Sequence, residues 1–366
     1  PKLRPENIGI YMGYSAVNRR YFLASASAFA LAGCAERGAF LPVPYVAGDS
    51  VQPIFLATDR KVDAQLNPGD GRGDAPAFGR VDVRIPAAHE VGQVELPLAG
   101  RDNSDKLGVL ETRRYDTMAS FLAQVAATGS ARDEVQIFVH GYNYTLAEVV
   151  YRHAQMAFDY QIPGPQISYS WASAATAVGY LEDRDSVAIS RDGLEALLTA
   201  LARSERRKIR ILAHSMGCLL VMETLRQMAI GGNTAAFSRL SDVILMSPDI
   251  NLELFESQIA RLGRFPAPLW VLVAQNDLVL QLSERISGNR ARLGRVTDFS
   301  RLQQMGVNVV DLSSFEDSDL GNHAVAMSSP QVIALFRGLL GSDFRNSPAR
   351  RVPGIAEIAF PASSSS

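Results

Sequence analysis

The sequence predicts an α/β fold: a mostly parallel central sheet with helices on both faces. Three observations lead there. Short β-branched runs recur along the middle of the chain, amphipathic stretches fill the intervals, and 366 residues that are 47% apolar suffice for a large core. The runs are Val135–Val139, Gln166–Ser170, Lys208–Leu212, Asp242–Met246, Leu269–Val273 and Val307–Val310. Each has the length and composition of a strand buried on both faces. Between them, Leu194, Leu197, Leu198 and Leu201 repeat at helical spacing, and Leu219, Met222 and Leu225 share one stripe, so these side chains belong to the core. Strand–helix–strand repetition implies right-handed crossovers.

The chain before the sheet reads as an address. Residues 18–34 run Asn-Arg-Arg-Tyr-Phe-Leu-Ala-Ser-Ala-Ser-Ala-Phe-Ala-Leu-Ala-Gly-Cys, with two arginines, a short uncharged apolar stretch and a small-residue turn ending in Cys34. That is the order of an export signal, and the apolar stretch falls short of the roughly 20 residues a membrane span needs. Leu31-Ala32-Gly33-Cys34 resembles the lipobox of bacterial lipoproteins, in which the cysteine is lipidated. Arg19-Arg20 before Tyr21-Phe22-Leu23 is similar to a twin-arginine signal. Met12 is the only methionine ahead of the apolar stretch, so residues 1–11 would lie upstream of a start there. The expected organisation is a signal over residues 1–33, a lipid anchor and Pro/Gly/Ala-rich tether over 34–50, one domain over 51–345, and a loose tail over 346–366. Within the domain, residues 51–125 read as its antiparallel edge. They include a Gly/Asp-rich loop from Asn67 to Gly79, with an Arg72-Gly73-Asp74 tripeptide, and a helical pattern near Thr117–Ala127.

Composition removes several functions. Thirty-six Lys and Arg against 38 Asp and Glu leave no basic surplus for nucleic acid. The two cysteines, Cys34 and Cys218, stand far apart, which argues against a disulfide scaffold and against a Cys/His metal site. Any imidazole chemistry must choose among five histidines: His89, His140, His153, His214 and His323.

Ile211-Leu212-Ala213-His214-Ser215-Met216-Gly217-Cys218 lies between a strand run and a helical stripe. A serine at so sharp a strand-to-helix turn needs small residues two before and two after it, and Ala213 and Gly217 meet that need. Ser215 is therefore the candidate nucleophile, with helix dipole and unpaired amides behind it. Its hydroxyl requires a base. His214 should point away at such a turn, His140 ends a strand, His153 falls in a helix, and His89 precedes the sheet. His323, in Asp319-Leu320-Gly321-Asn322-His323 after the last strand, is the remaining candidate. The acid that orients it should end a strand between the two; Asp249 and Asp277 both qualify, and Asp311 is more distant. Asp249 has a second reading as the cap of a helix starting near Leu252. For the oxyanion, His140-Gly141-Tyr142 follows a strand end. Gly141 lets the chain turn so that the Tyr142 amide can pair with the Met216 amide as donors.

Together these segments resemble the α/β-hydrolase superfamily. With Phe55-Leu56-Ala57-Thr58-Asp59-Arg60, Phe78 to Pro86 and Ser247-Pro248-Asp249, they are similar to a bacterial family of uncharacterised, esterase-like α/β hydrolases. The resemblance runs from about Phe55 to the helix after His323. It implies the chain order Ser, acid, His, with Ser215 after the fifth strand of that fold, Asp249 after the sixth and Asp277 after the seventh, where the acid usually sits. Asp277 is then the favoured acid and Asp249 the alternative. The function it implies is cleavage of a small-molecule or lipid ester through an acyl-enzyme, without cofactor or metal, in an exported, membrane-anchored protein of the cell envelope. Tyr142, Tyr144, Tyr169 and Trp171 are candidates for lining an acyl pocket. An acyltransferase with the same triad, and a non-catalytic envelope lipoprotein with this fold, are the alternatives.

Overall fold

Ten strands among the described residues form one sheet: β1 (Ser50–Val62), β2 (Pro68–Ile85), β3 (Gly108–Tyr115), β4 (Val135–Val139), β5 (Gln166–Ser170), β6 (Ile209–His214), β7 (Leu240–Met246), β8 (Leu269–Val273), β9 (Val307–Asp311) and β10 (Glu357–Ala359). Their spatial order is β10-β9-β8-β7-β6-β4-β5-β1-β2-β3. From β9 through β1 all neighbours run parallel, whereas β2, β3 and β10 are antiparallel additions. The structure is a computed structural model that describes residues 37, 39–316, 321–340 and 357–359. The chain divides into two units, Pro1–Arg37 and Gly38–Ser366. Of the first only Arg37 is described, so the predicted signal, the twin-arginine pair and Cys34 lie outside the described residues.

Helices cover both faces. They are α1 (Met118–Ala126), α2 (Leu146–Asp159), α3 (Tyr180–Ser204), α4 (Met216–Ile230), α5 (Leu252–Leu262), α6 (Leu278–Ile286), α7 (Ser300–Gln304), α8 (Val325–Ser328) and α9 (Pro330–Leu340). Every residue of β4, β5, β8 and β9 is buried, as a sheet covered on both sides requires. One face packs Ile137, Ile211 and Val271 under the leucines of α3, Met222 of α4 and Phe255 of α5. The other packs Phe138, Leu212 and Leu272 against Met156 of α2 and the segment 324–333. Strand alternation splits neighbouring residues between the faces. Helix starts have identifiable causes: Thr117 and Thr145 form capping boxes with Ser120 and Glu148.

Three expectations need correction. Residues 39–49 are docked and not a free tether: Val43 donates to the Val109 carbonyl at 3.1 Å, and the Tyr151 hydroxyl donates to the Ala39 carbonyl at 2.9 Å. Arg84, wholly buried, reaches the Pro44 carbonyl at 2.9 Å and Asp49 at 3.7 Å. The expected loop from Asn67 belongs mostly to β2, and Arg72 of the Arg-Gly-Asp tripeptide is held by Asp59 at 3.3 Å and Ser186 Oγ at 2.8 Å. Glycine and aspartate there signalled a turn, but pairing with the far end of β1 decides the conformation. In the expected loose tail, residues 357–359 pair antiparallel with β9. The remainder of the tail lies outside the described residues.

Behind the sheet, His89 Nδ1 meets Glu95 at 2.9 Å and Nε2 meets Asp159 at 3.0 Å, tying the segment after β2 to the end of α2. Asp159 also accepts the Gly92 amide at 2.7 Å. Burial alone would lower the imidazole pKa, but hydrogen bonds and charge from Asp159 and Glu95 outweigh it and raise the pKa from 6.5 to about 9. A raised folded-state pKa means the contribution to stability is complete below pH 6.5 and is lost as pH rises through about 9. Thermal unfolding midpoints measured across that window should fall with rising pH, and His89→Gln should flatten the slope. An unchanged slope would remove His89 as its source.

Candidate active site

Ser215 stands between β6 and α4 with φ 54° and ψ −121°, a backbone region that costs a non-glycine residue about 1–3 kcal/mol. Neighbours impose it. The Ser215 amide donates to the Met246 carbonyl at 3.0 Å, and the Ser215 carbonyl accepts the Asp249 amide at 3.2 Å and the Cys218 amide at 3.1 Å. Close approach also demands the two glycines. A Cβ on Gly217 would overlap the Val139 and His140 carbonyl oxygens, and one on Gly141 would stand 2.8 Å from Ser215 Cβ. The end of β4 therefore lies directly against the first turn of α4. Met216 and Cys218 are fully buried in that turn. Burial drives the Cys218 thiol pKa well up, leaving it a neutral packing group.

The structure brings His323 and Asp277 together. Nδ1 of His323 lies 2.7 Å from Asp277 Oδ2, and both side chains are buried. The other carboxylate oxygen of Asp277 accepts the Leu280 amide at 2.8 Å, capping α6. With Nδ1–H donated to the carboxylate, Nε2 carries the lone pair that a base needs. The turn that delivers His323 uses Gly321 at φ 55° and Asn322 at φ 67°, and the Gly321 carbonyl accepts the Leu278 amide at 3.0 Å. His214 supports the same turn: Nε2 donates to the His323 carbonyl at 3.1 Å, and the two rings lie 4.7 Å apart. Burial, then the neighbouring His323, hold the His214 pKa well below 6.5, so this ring is neutral.

Asp249 lies elsewhere. It accepts from the Tyr180 hydroxyl at 2.9 Å and Ser283 Oγ at 2.7 Å, and Arg292 Nε stands 3.1 Å away. None of these partners is a histidine. The cap of α5 is Asn251, and not Asp249, with Asn251 Oδ1 accepting the Leu254 amide at 3.0 Å. Asp311 accepts the Ser313 amide at 2.9 Å.

The segment expected to supply an oxyanion donor follows β4. His140 is fully buried and stacked on Trp171 at 4.9 Å, and its Nδ1 lies 2.8 Å from the Gly141 carbonyl. Burial, then the charge of Arg60, push its pKa down to about 3, so it is neutral. Tyr142 is half-buried; its hydroxyl donates to the Ala177 carbonyl, and its ring meets Tyr180 edge-on at 5.5 Å. Of the proposed pocket aromatics, Tyr169 and Trp171 are buried in the core, whereas Tyr144 is only partly buried. His153 is buried against Ser168 Oγ at 2.8 Å. Among the described residues no group of three or more His, Cys, Asp or Glu could hold a metal ion.

Two residues at the site escaped the sequence reading. Arg60, in the Thr58-Asp59-Arg60 segment, donates to the Tyr144 carbonyl at 2.6 Å, the Ser173 carbonyl at 2.9 Å and Ser170 Oγ at 3.3 Å. Asp183 in the first turn of α3 accepts Ser173 Oγ and the Ala174 amide at 2.6 Å each, and the Asn143 amide at 3.2 Å. Only the Thr-Asp-Arg segment carried any signal.

A family model described as alpha/beta hydrolase of unknown function (DUF900) matches residues 118–342. Among solved structures, an esterase from the archaeon Pyrobaculum calidifontis is 13% identical, with 90% of this chain and 93% of that one covered and a TM-score of 0.34. An esterase from Rhizomucor miehei is 12% identical, covering 90% and 92% with a TM-score of 0.34. Lipase B of Aspergillus fumigatus is 14% identical, covering 63% and 59% with a TM-score of 0.39. No curated protein matches the chain.

The two aspartates differ in a way that stability measurements can read. Removing the Asp249 charge leaves Arg292, only 2% exposed, without its counter-ion, a loss of about 3–5 kcal/mol for such buried pairs. Asp249→Asn should therefore lower the denaturant midpoint sharply. A midpoint within experimental error of the parent would show that the pair contributes nothing.

Proposed function

The chain belongs to the family of alpha/beta hydrolases of unknown function, and from that premise we propose that it is a serine hydrolase cleaving carboxylic esters through an acyl-enzyme. The observation that carries the proposal is the buried 2.7 Å His323–Asp277 pair on the chain that also bears Ser215 at φ 54° on a strand-to-helix elbow.

In this mechanism Ser215 Oγ attacks the ester carbonyl carbon while His323 Nε2 takes its proton. The carbonyl electrons move onto oxygen, and the Tyr142 and Met216 amides donate hydrogen bonds to the resulting oxyanion. The tetrahedral intermediate collapses, the C–O bond to the alcohol breaks, and His323 returns the proton to the departing oxygen. Asp277 keeps the Nδ1–H tautomer and stabilises the imidazolium. Water, activated by the same histidine, then releases the acid and restores Ser215. The substrate in this reading is a small-molecule or lipid ester, and nothing in the scheme calls for a cofactor. By the same reading, export and lipidation at Cys34 place the enzyme in the cell envelope, attached to a membrane.

Purified protein should hydrolyse short p-nitrophenyl esters and label with a fluorophosphonate. Ser215→Ala should abolish labelling and, like His323→Ala, lower kcat by about 10,000-fold or more. Asp277→Asn should lower kcat by about 10,000-fold while the protein stays folded. A fully active Asp277→Asn variant would overturn the acid assignment. For the anchor, cells fed an alkyne fatty acid should label the parent and not Cys34→Ser; equal labelling would exclude Cys34 as the lipidated residue.

A further inference from the structure

We propose that Arg60 and Asp183 are positioning residues that clamp the oxyanion loop and so aim the Tyr142 amide at the developing charge, an inference that rests on the serine-hydrolase reading. The two buried, opposite charges grip the same two loops from different elements. Arg60, near the end of β1, and Asp183, in α3, both hold Ser173: Arg60 takes its carbonyl at 2.9 Å and Asp183 takes its hydroxyl at 2.6 Å. Both also hold the loop between β4 and α2, at adjacent residues. Asp183 accepts the Asn143 amide at 3.2 Å, and Arg60 donates to the Tyr144 carbonyl at 2.6 Å.

A third grip lies on the other side of Tyr142. His140 Nδ1 lies 2.8 Å from the Gly141 carbonyl oxygen, the shorter of the two contacts its ring makes with carbonyls, the other being Nε2 to Trp171 at 3.2 Å. In a planar trans peptide, the Gly141 C=O and the Tyr142 N–H point in opposite directions, so fixing one aims the other. The clamp reaches His140 as well, because Ser170 Oγ stands 3.3 Å from Arg60 Nε and 3.5 Å from His140 Nε2. Asn143 keeps φ 60° inside this arrangement, a conformation that persists when its surroundings impose it. Arg60 has the chemistry for this work: its three acceptors are met by three different nitrogens of a rigid planar fork, whereas an ammonium gathers its donors on a single nitrogen. Although burial lowers its pKa to about 10, against the pull of Asp183 and Glu148, it stays charged at neutral pH.

Arg72 supplies the control. It pairs with Asp59 of β1 at 3.3 Å and joins the same ribbon to α3 through Ser190 Oγ at 3.2 Å and Ser186 Oγ at 2.8 Å, and none of these contacts involves residues 140–145. A purely architectural bond between ribbon and helix is thus separable from the clamp.

The test uses the full chain as Arg60→Gln, Arg60→Lys, Asp183→Asn, Arg60→Gln/Asp183→Asn and Arg72→Gln. Steady-state hydrolysis of p-nitrophenyl butyrate is paired with peptide-level amide hydrogen exchange. Arg60→Gln and Asp183→Asn should each lower kcat by about 10- to 100-fold with KM changed by less than about threefold, since a misaimed donor is felt chiefly in the transition state. Arg60→Lys should not rescue, and the double variant should cost little more than the larger single one, as for two parts of one device. Exchange over residues 140–145 should quicken by about tenfold or more, while β8 and β9 keep parental protection, which separates misalignment from unfolding. Arg72→Gln should leave kcat and loop exchange at parental values. Parental kcat and loop protection in both single charge variants would overturn the clamp, as would an equal loss in Arg72→Gln. If the parent neither hydrolyses esters nor takes up a fluorophosphonate, the serine-hydrolase reading falls, and loop exchange in the same variants still decides whether the clamp exists.

Discussion

The site depends on one close approach, that of the end of β4 to the first turn of α4. Parallel pairing sets it, with Val139 opposite Ala213 in the register of β4 and β6. Two residues further along each chain come Gly141 and Ser215, and the missing Cβ of Gly141 is the space that Ser215 Cβ borders. Gly217 gives up its own side chain to the Val139 and His140 carbonyls. Because side chains alternate along a strand, a slip of one residue would present the wrong face at this junction. Strand register thus brings the first amide of α4 and the chain after His140 to one place before any catalytic side chain is considered.

Around that junction, two aspartates follow neighbouring strands and acquire different roles from what reaches them. Asp249, after β7, meets an arginine, a tyrosine and a serine, and becomes an internal brace. Asp277, after β8, caps a helix with one oxygen and meets an imidazole with the other. Both are buried carboxylates with satisfied oxygens, as burial requires. Their difference lies in the partner each loop delivers, which neither aspartate's own local sequence encodes.

The same distinction separates what the sequence discloses from what it conceals. β4, β5 and β8 occupy the predicted residues, and Leu194, Leu197, Leu198 and Leu201 form a buried stripe of α3, because continuous apolar runs and helical spacing are local signals. The sharp strand-to-helix turn at Ser215 was legible for a similar reason: its small neighbours at two before and two after are a local steric requirement. The ribbon of β1 and β2 was partly hidden, since the composition around Asp70 and Gly71 argues for a turn while pairing with a distant partner makes a strand. Residues 39–49 looked like a tether because their anchors, Arg84, Val109 and Tyr151, lie far along the chain. Arg60 was visible only as part of a motif. Its acceptors, Tyr144, Ser170 and Ser173, are 84 to 113 residues away, and two of them are carbonyls, which carry no residue identity to read.

The short strand β10 has a consequence for the molecule's behaviour among its own copies. β9 is the last parallel strand, and its outer edge offers Val309, Val310 and Asp311 for pairing. Such an edge is a template on which another chain can add itself. Among the described residues, Glu357–Ala359 from the distal part of the chain occupy it in antiparallel fashion. This stretch therefore covers the pairing positions of β9 that edge-to-edge association would otherwise use.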